Sequence, residues 1–198
     1  MIIPVAHDYS CPWCWIGLLQ ADQLRAEFGA SFDWLAYELY PEELAFGTWT
    51  RPEEAPDKPP TPTRMELAYA AQGIERPANK GPFPMRTHKV HEATEYAKAT
   101  GGVDDLVSAF YHAHYEQAAD LDDIDVLTDL ARPIVRDLDE MVLAIKEKRY
   151  KANITGFDEG AYRSGVYNVP TFYIGGERYA EQPFAVLRKA MQKAVVAA

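Results

Sequence analysis

The chain is short of cysteine, of positive charge and of long apolar runs. Its 198 residues include two cysteines, and 30 acidic residues outnumber 20 basic ones for a formal net charge of −10. A field of that sign repels nucleic acid and anionic membrane surfaces, so neither is an expected partner. No run of about 18 apolar residues exists to cross a bilayer, and the start MIIPVAHDYS lacks the basic segment and apolar stretch of a secretory signal. The expectation is a soluble cytoplasmic protein, with an earlier cleaved leader left open. No internal repeat or heptad pattern competes with an ordinary globular reading. At 47% hydrophobic content the chain suffices for one domain, or for a small domain carrying a large insertion, without a covalent staple.

Both cysteines fall in one stretch, YSCPWCWIG, as Cys11 and Cys14. Four readings suit such a pair: a redox dithiol, half of a metal site, a structural staple, or chance. A disulfide closing so short a loop constrains the unfolded chain little, which weakens the staple. A zinc site needs two further ligands. The available pairs, His88 with His91 and His112 with His114, lack the usual spacing, and the second pair cannot share a helix face. In a reducing compartment a lone pair is more plausibly catalytic or metal-binding than structural.

The surrounding pattern favours the dithiol. IIPVAH reads as a short buried strand, WCWIGLLQADQLRAEFG as a helix ending at Gly29, and SFDWLAYEL as a second strand. Pro41 opens a proline-rich stretch with little periodicity, read as a loop or lid. Thr63-x-x-Glu66 is a capping box opening a helix through Ala71. Further helices are expected over Met85–Thr100, Val103–Ala119, Ile124–Ala131 and Leu138–Ala152. VPTFYIGGERYAEQP then reads as two strands about a Gly175-Gly176 turn, with Pro183 opening a last helix.

With Pro12 in the first helical turn, Cys11 stands at the cap and Cys14 one turn later on the same face. A sulfur at the cap meets free backbone N–H groups and the positive end of the helix dipole, which stabilise a thiolate. Cys11 is then the exchanging nucleophile and Cys14 the resolving thiol. His7, four residues before Cys11, is a candidate tuner of that sulfur. Trp13, between the cysteines, is a candidate substrate platform. Trp15 is assigned to the core or to the insertion interface, and Glu38 is a weaker candidate as proton acceptor for Cys14.

Set beside YNVPTFYIGG, the CPWC motif resembles the DsbA-like branch of the thioredoxin superfamily, and most closely its FrnE-like members. The matching elements are Cys11 to Gly17, Val169-Pro170 and Glu181-Gln182-Pro183, the last departing at Glu181 from a usual small residue. The resemblance implies an α/β thioredoxin fold, β-α-β plus β-β-α, from residues 1–60 and 155–198, with a helical insertion over 61–154. It implies a cis Val169–Pro170 bond beside the dithiol, and substrate contacts from Val169, Pro170, Pro12 and Trp13. Exchange of the dithiol needs no metal or organic cofactor. Its partners would be protein or peptide thiols and disulfides, with glutathione as a candidate co-substrate and a thioredoxin-type protein as a candidate reductant. The competing readings are a glutathione-dependent transferase or isomerase, like the kappa-class transferases and 2-hydroxychromene-2-carboxylate isomerases, and a peptide-binding chaperone-like module. The first group normally carries serine at the position of Cys11 and lacks the second cysteine, so the presence of both thiols favours exchange.

Overall fold

A computed structural model describes residues 1–46, 61–77, 81–156, 165–166 and 168–196. Most of the proline-rich stretch expected as a loop or lid, residues 47–60, lies outside the described residues.

Strand β1 (Ile2–His7) runs parallel to β2 (Ser31–Glu38), with Ile2 opposite Ser31 and His7 opposite Ala36. Helix α1 (Pro12–Phe28) joins them. Pro12 occupies its first turn, where a missing N–H costs nothing, and Gly29 closes it with a left-handed φ of 63° and an N–H donated to Arg25 O. A two-residue strand, β3 (Thr155–Gly156), pairs with the end of β2. At the other side β4 (Thr171–Ile174) is antiparallel to β1, and β5 (Glu177–Ala180) follows it through a Gly175-Gly176 turn with both φ angles positive. The sheet order is β3-β2-β1-β4-β5. Because β1 is central, its C-terminal half is buried on both faces and reads Val5-Ala6-His7 without alternation.

Between β2 and β3 lie five helices among the described residues: α2 (Arg64–Ala71), α3 (His88–Thr100), α4 (Val103–Gln117), α5 (Ile124–Ala131) and α6 (Leu138–Lys146). The closing helix α7 (Phe184–Val196) packs on β4 and α1. Helix α3 touches α4, α5, α6 and β2, and so ties the helical block to the sheet. The two share one apolar cluster, in which Ile3, Val5, Leu24 and Phe172 join Val90, Leu106, Phe110 and Met141. Polar ties reinforce the seam: Trp34 Nε1 donates to Asp104 Oδ1 at 2.8 Å, and Lys98 Nζ to Trp34 O at 3.1 Å.

Three helices are shorter than periodicity suggests, each for a local reason. Helix α3 begins at His88, not Met85, because Thr87 turns its hydroxyl to Asp8 instead of continuing a helix. Helix α4 stops at Gln117 because Ala118 takes a left-handed φ of 59°. Helix α6 stops at Lys146, and Lys148 with φ 50° turns the chain toward a short 3-10 segment, Lys151–Asn153. No helix among the described residues is long and apolar enough to cross a membrane.

Candidate active site

The dithiol sits where β1 hands the chain to α1. Cys11 N donates to Asp8 O at 3.2 Å, which folds the connecting loop, and Cys14 N and Trp15 N return to Cys11 O at 2.9 and 3.3 Å. Cys11 is thereby the residue preceding the first helical turn, with extended backbone, and Cys14 lies one turn in. Both are free thiols. Cys11 is 7% exposed and Cys14 2%, so the outer sulfur is the one nearer solvent. The Cys11 side chain does not cap the helix. It donates instead to Val169 O at 3.6 Å. Cys14 Sγ accepts the Asp8 N–H at 3.4 Å, and burial followed by the adjoining Cys11 thiol pushes its pKa well up, holding it as a thiol.

The carbonyl that receives Cys11 belongs to a cis peptide, Val169–Pro170. Val169 is 3% exposed, and Pro170 presses against α1 at Gly17, where a Cβ would lie 2.9 Å from the proline Cβ. Glycine is therefore required there by close approach, not by backbone angle. Glu181 N donates to Pro170 O at 2.9 Å, fixing the loop from the β5 side.

Behind the dithiol is a closed polar layer. Asp8 is fully buried and accepts four donors: Ser10 N at 2.6 Å and Ser10 Oγ at 2.7 Å on Oδ1, and Leu39 N at 2.6 Å and Thr87 Oγ1 at 3.1 Å on Oδ2. One carboxylate thus joins the active loop, the end of β2 and the start of α3. Burial raises its pKa from 3.8 to about 6, the four hydrogen bonds opposing that rise. Tyr111 OH donates to Asp8 O at 3.1 Å, so its oxygen is left to accept from His7 Nδ1 at 2.9 Å, which assigns the Nδ1–H tautomer. Tyr115 OH donates to Tyr9 O at 3.1 Å, so two tyrosines of α4 hold the loop.

A family model for the DSBA-like thioredoxin domain matches residues 2–192. The chain belongs to that family. This DsbA-like chain is 24% identical over 180 residues to YwbO of Bacillus subtilis, an uncharacterised protein, covering 87% of the chain and 86% of YwbO. Among solved structures it is similar to a probable DsbA oxidoreductase of Streptomyces coelicolor (20% identity, TM-score 0.70, 99% of this chain and 90% of that one). It is also similar to the cytosolic disulfide reductase DsbM of Pseudomonas aeruginosa (15%, 0.68, 98% and 100%). A 2-hydroxychromene-2-carboxylate isomerase matches at 15% identity and TM-score 0.70, covering 98% of this chain and 95% of that one, so the fold is shared across different chemistries.

In the DsbA-like chain two grooves are lined by residues that neighbour the dithiol. One, of about 260 Å³, is lined by Trp13, Ile16, Leu67, Ala68, Pro170 and Phe184, with Arg64, Gln72 and Glu181 at its rim. The other, of about 300 Å³, is more polar and is lined by Ser10, Pro12, Tyr69, Phe83, His114 and Tyr115 with Arg76. Cys11, Cys14, Pro12, Trp13, Val169 and Pro170 are therefore together. His7 is not among them: it packs edge-on against Tyr9, Trp34 and His91 and is bonded to Tyr111. Burial first, then the Lys98 charge, lower its pKa from 6.5 to about 3, so it stays neutral and carries no charge with which to stabilise a thiolate. Trp15 is buried and stacked on Tyr115, at the seam with α4. Glu38 points to His88 Nδ1 at 3.1 Å.

Asp8 is the residue that sequence reasoning passed over. Its signal was present as an aspartate three positions before Cys11, at the end of a buried strand, but its partners Leu39 and Thr87 are 31 and 79 residues away.

Proposed function

We propose that this chain is a thiol-disulfide oxidoreductase in which Cys11 exchanges with substrate and Cys14 resolves. The unequal setting of the two thiols carries this reading: the outer one lies against the Val169 carbonyl beside an apolar groove, and the inner one is enclosed and kept protonated. In the reducing direction the Cys11 thiolate attacks a substrate disulfide, forming a mixed disulfide and expelling one thiolate. Cys14 then loses its proton and attacks the Cys11 sulfur, expelling the second substrate thiolate and leaving a Cys11–Cys14 disulfide. Two electrons pass to the substrate, and the reverse sequence oxidises a dithiol. Val169 would offer its backbone to the substrate chain, with Pro170, Pro12 and Trp13 shaping the surface beside the dithiol. His7 would act only at a distance, by holding Tyr111 against the Asp8 carbonyl.

Protein, peptide and small-thiol disulfides form the proposed substrate class. Glutathione is a proposed co-substrate, a reading supported by the likeness to a DsbM structure with GSH, and a thioredoxin-type protein is a proposed alternative reductant. A cytoplasmic setting belongs to the same proposal, in keeping with DsbM being a cytosolic reductase.

The test is stoichiometric. Reduced protein mixed with glutathione disulfide should release two equivalents of glutathione and acquire an internal Cys11–Cys14 disulfide, seen by mass mapping. A protein that stays a dithiol would refute the reading. Conjugation of glutathione to an electrophile that persists in Cys14→Ser would assign the chain to the transferase chemistry instead.

A further inference from the structure

Helix α2 is tied across the apolar groove by its first residue. Arg64 Nη1 donates to Glu181 Oε2 at 3.0 Å and Nη2 to Glu181 O at 3.2 Å, while its guanidinium lies 4.5 Å from the Trp13 ring centroid. The capping box of Thr63 and Glu66 fixes the turn from which Arg64 projects. A cation in the first turn opposes the helix dipole, so helix stability does not explain this arginine.

Glu181 is equally conspicuous. It takes a φ of 47°, a left-handed angle that disfavours any side chain. Its carboxylate has two partners: Arg64 on Oε2, and on Oε1 Asn168 Nδ2 at 2.7 Å. Asn168 immediately precedes Val169, whose carbonyl receives the Cys11 thiol. The insertion is thus connected through Arg64, Glu181 and Asn168 to the loop that faces the reactive sulfur.

We infer that Arg64 and Glu181 form a latch over the Trp13–Pro170 groove that selects small thiols and disulfides over bulky protein disulfides. This rests on the oxidoreductase reading for its substrates, but not for its geometry. With the latch shut the groove holds about 260 Å³, below the roughly 300–1,000 Å³ of drug-sized ligand pockets, enough for one apolar side chain or the stem of a small thiol. A polypeptide laid over Trp13 and Pro170 meets the arginine. The Arg64 side chain is 66% exposed and that of Glu181 15%, so the pair opens to solvent and weakens with salt.

Two ratios test it. In a Cys14→Ser background, the alkylation rate of Cys11 by a polyethylene-glycol maleimide is divided by that for N-ethylmaleimide. Separately, in the full dithiol protein, the exchange rate with insulin is divided by that with glutathione disulfide. Arg64→Ala should raise both ratios about tenfold, equivalent to about 1.4 kcal/mol. Glu181→Gln should raise them less, and Arg64→Lys should largely restore them. Molar salt should raise the ratios of the parent protein but not of Arg64→Ala. An alkylation ratio within twofold of the parent would overturn the latch. So would exchange that is present with an unchanged insulin ratio. A raised alkylation ratio with no exchange in any variant would leave the latch standing and remove the oxidoreductase reading.

Discussion

The outer and inner sides of the dithiol differ in almost every physical respect. On the outer side Cys11 donates to the Val169 carbonyl, and its neighbours Trp13 and Pro170 line an apolar groove closed by an ion pair open to solvent. On the inner side Cys14 backs onto a layer where Asp8, His7 and Tyr111 are fully or almost fully buried and tied by hydrogen bonds. Interactions screened by water contribute little and rearrange readily, whereas buried polar networks are costly to disturb. The difference gives two chemically identical groups one helical turn apart unlike settings, and the proposed exchange uses both: one to meet substrate, the other for the second step.

The largest effect should come from exchanging the two sides' sulfurs for oxygens. Cys11→Ser should lower disulfide exchange by about a thousandfold or more, while Cys14→Ser should accumulate mixed disulfides visible by mass spectrometry. Similar activity in both single variants would erase the comparison.

Next in size are two pH effects of opposite sign from the inner layer. His7 is held neutral to about pH 3 against 6.5 when unfolded, so its contribution is complete above pH 6.5 and is lost as pH falls toward 3. The stability advantage of the parent over His7→Phe should therefore shrink on acidification, by on the order of 5 kcal/mol across that window. Asp8 behaves oppositely. Its folded pKa of about 6 exceeds the unfolded 3.8, so ionisation lowers stability as pH rises through that interval. Parent minus Asp8→Asn should grow as pH falls from 6 to 4, by on the order of 3 kcal/mol. Urea midpoints with unchanged m-values measure both, and slopes of the same sign would contradict the burial account.

The smallest effect belongs to the outer side. Gly17→Ala must push Pro170 away, since its Cβ would come within 3.0 Å of the proline Cγ. Overpacking costs about 1–3 kcal/mol, and the better helix propensity of alanine offsets about 1. A net loss of about 1 kcal/mol is expected, together with exchange slowed severalfold as Val169 O leaves Cys11. An unchanged exchange rate would show that this loop does not guide the outer sulfur.

What was legible in the sequence was local. β1, α1 and the capping box before α2 are written in contiguous residues, and the observed bounds of β1 and α5 coincide with those read from patterning. The CPWC stretch and the Val169-Pro170 pair were found as motifs, but their meeting is a matter of topology: β4 lies beside β1, so the residues just before β4 reach the start of α1. Pairings with no local signature escaped. Asp8 carries no local mark of a carboxylate that joins three elements. For His7, proximity to Cys11 allows either a tuning role or a satisfied strand-end histidine, and only the strand direction, which turns its ring toward Tyr111 of α4, decides between them. Glu181 was noticed only as a departure, because its partners Arg64 and Asn168 are 117 and 13 residues away.

The central claim, that the two sulfurs stand in unlike settings suited to the proposed division of work, is tested most directly by timed alkylation of the reduced native protein followed by mass mapping of each cysteine. The account predicts that Cys11 is labelled first and that Cys14, 2% exposed and held as a thiol, is labelled only slowly until the protein is unfolded. Labelling of Cys14 ahead of Cys11, or of both at one rate, would contradict it.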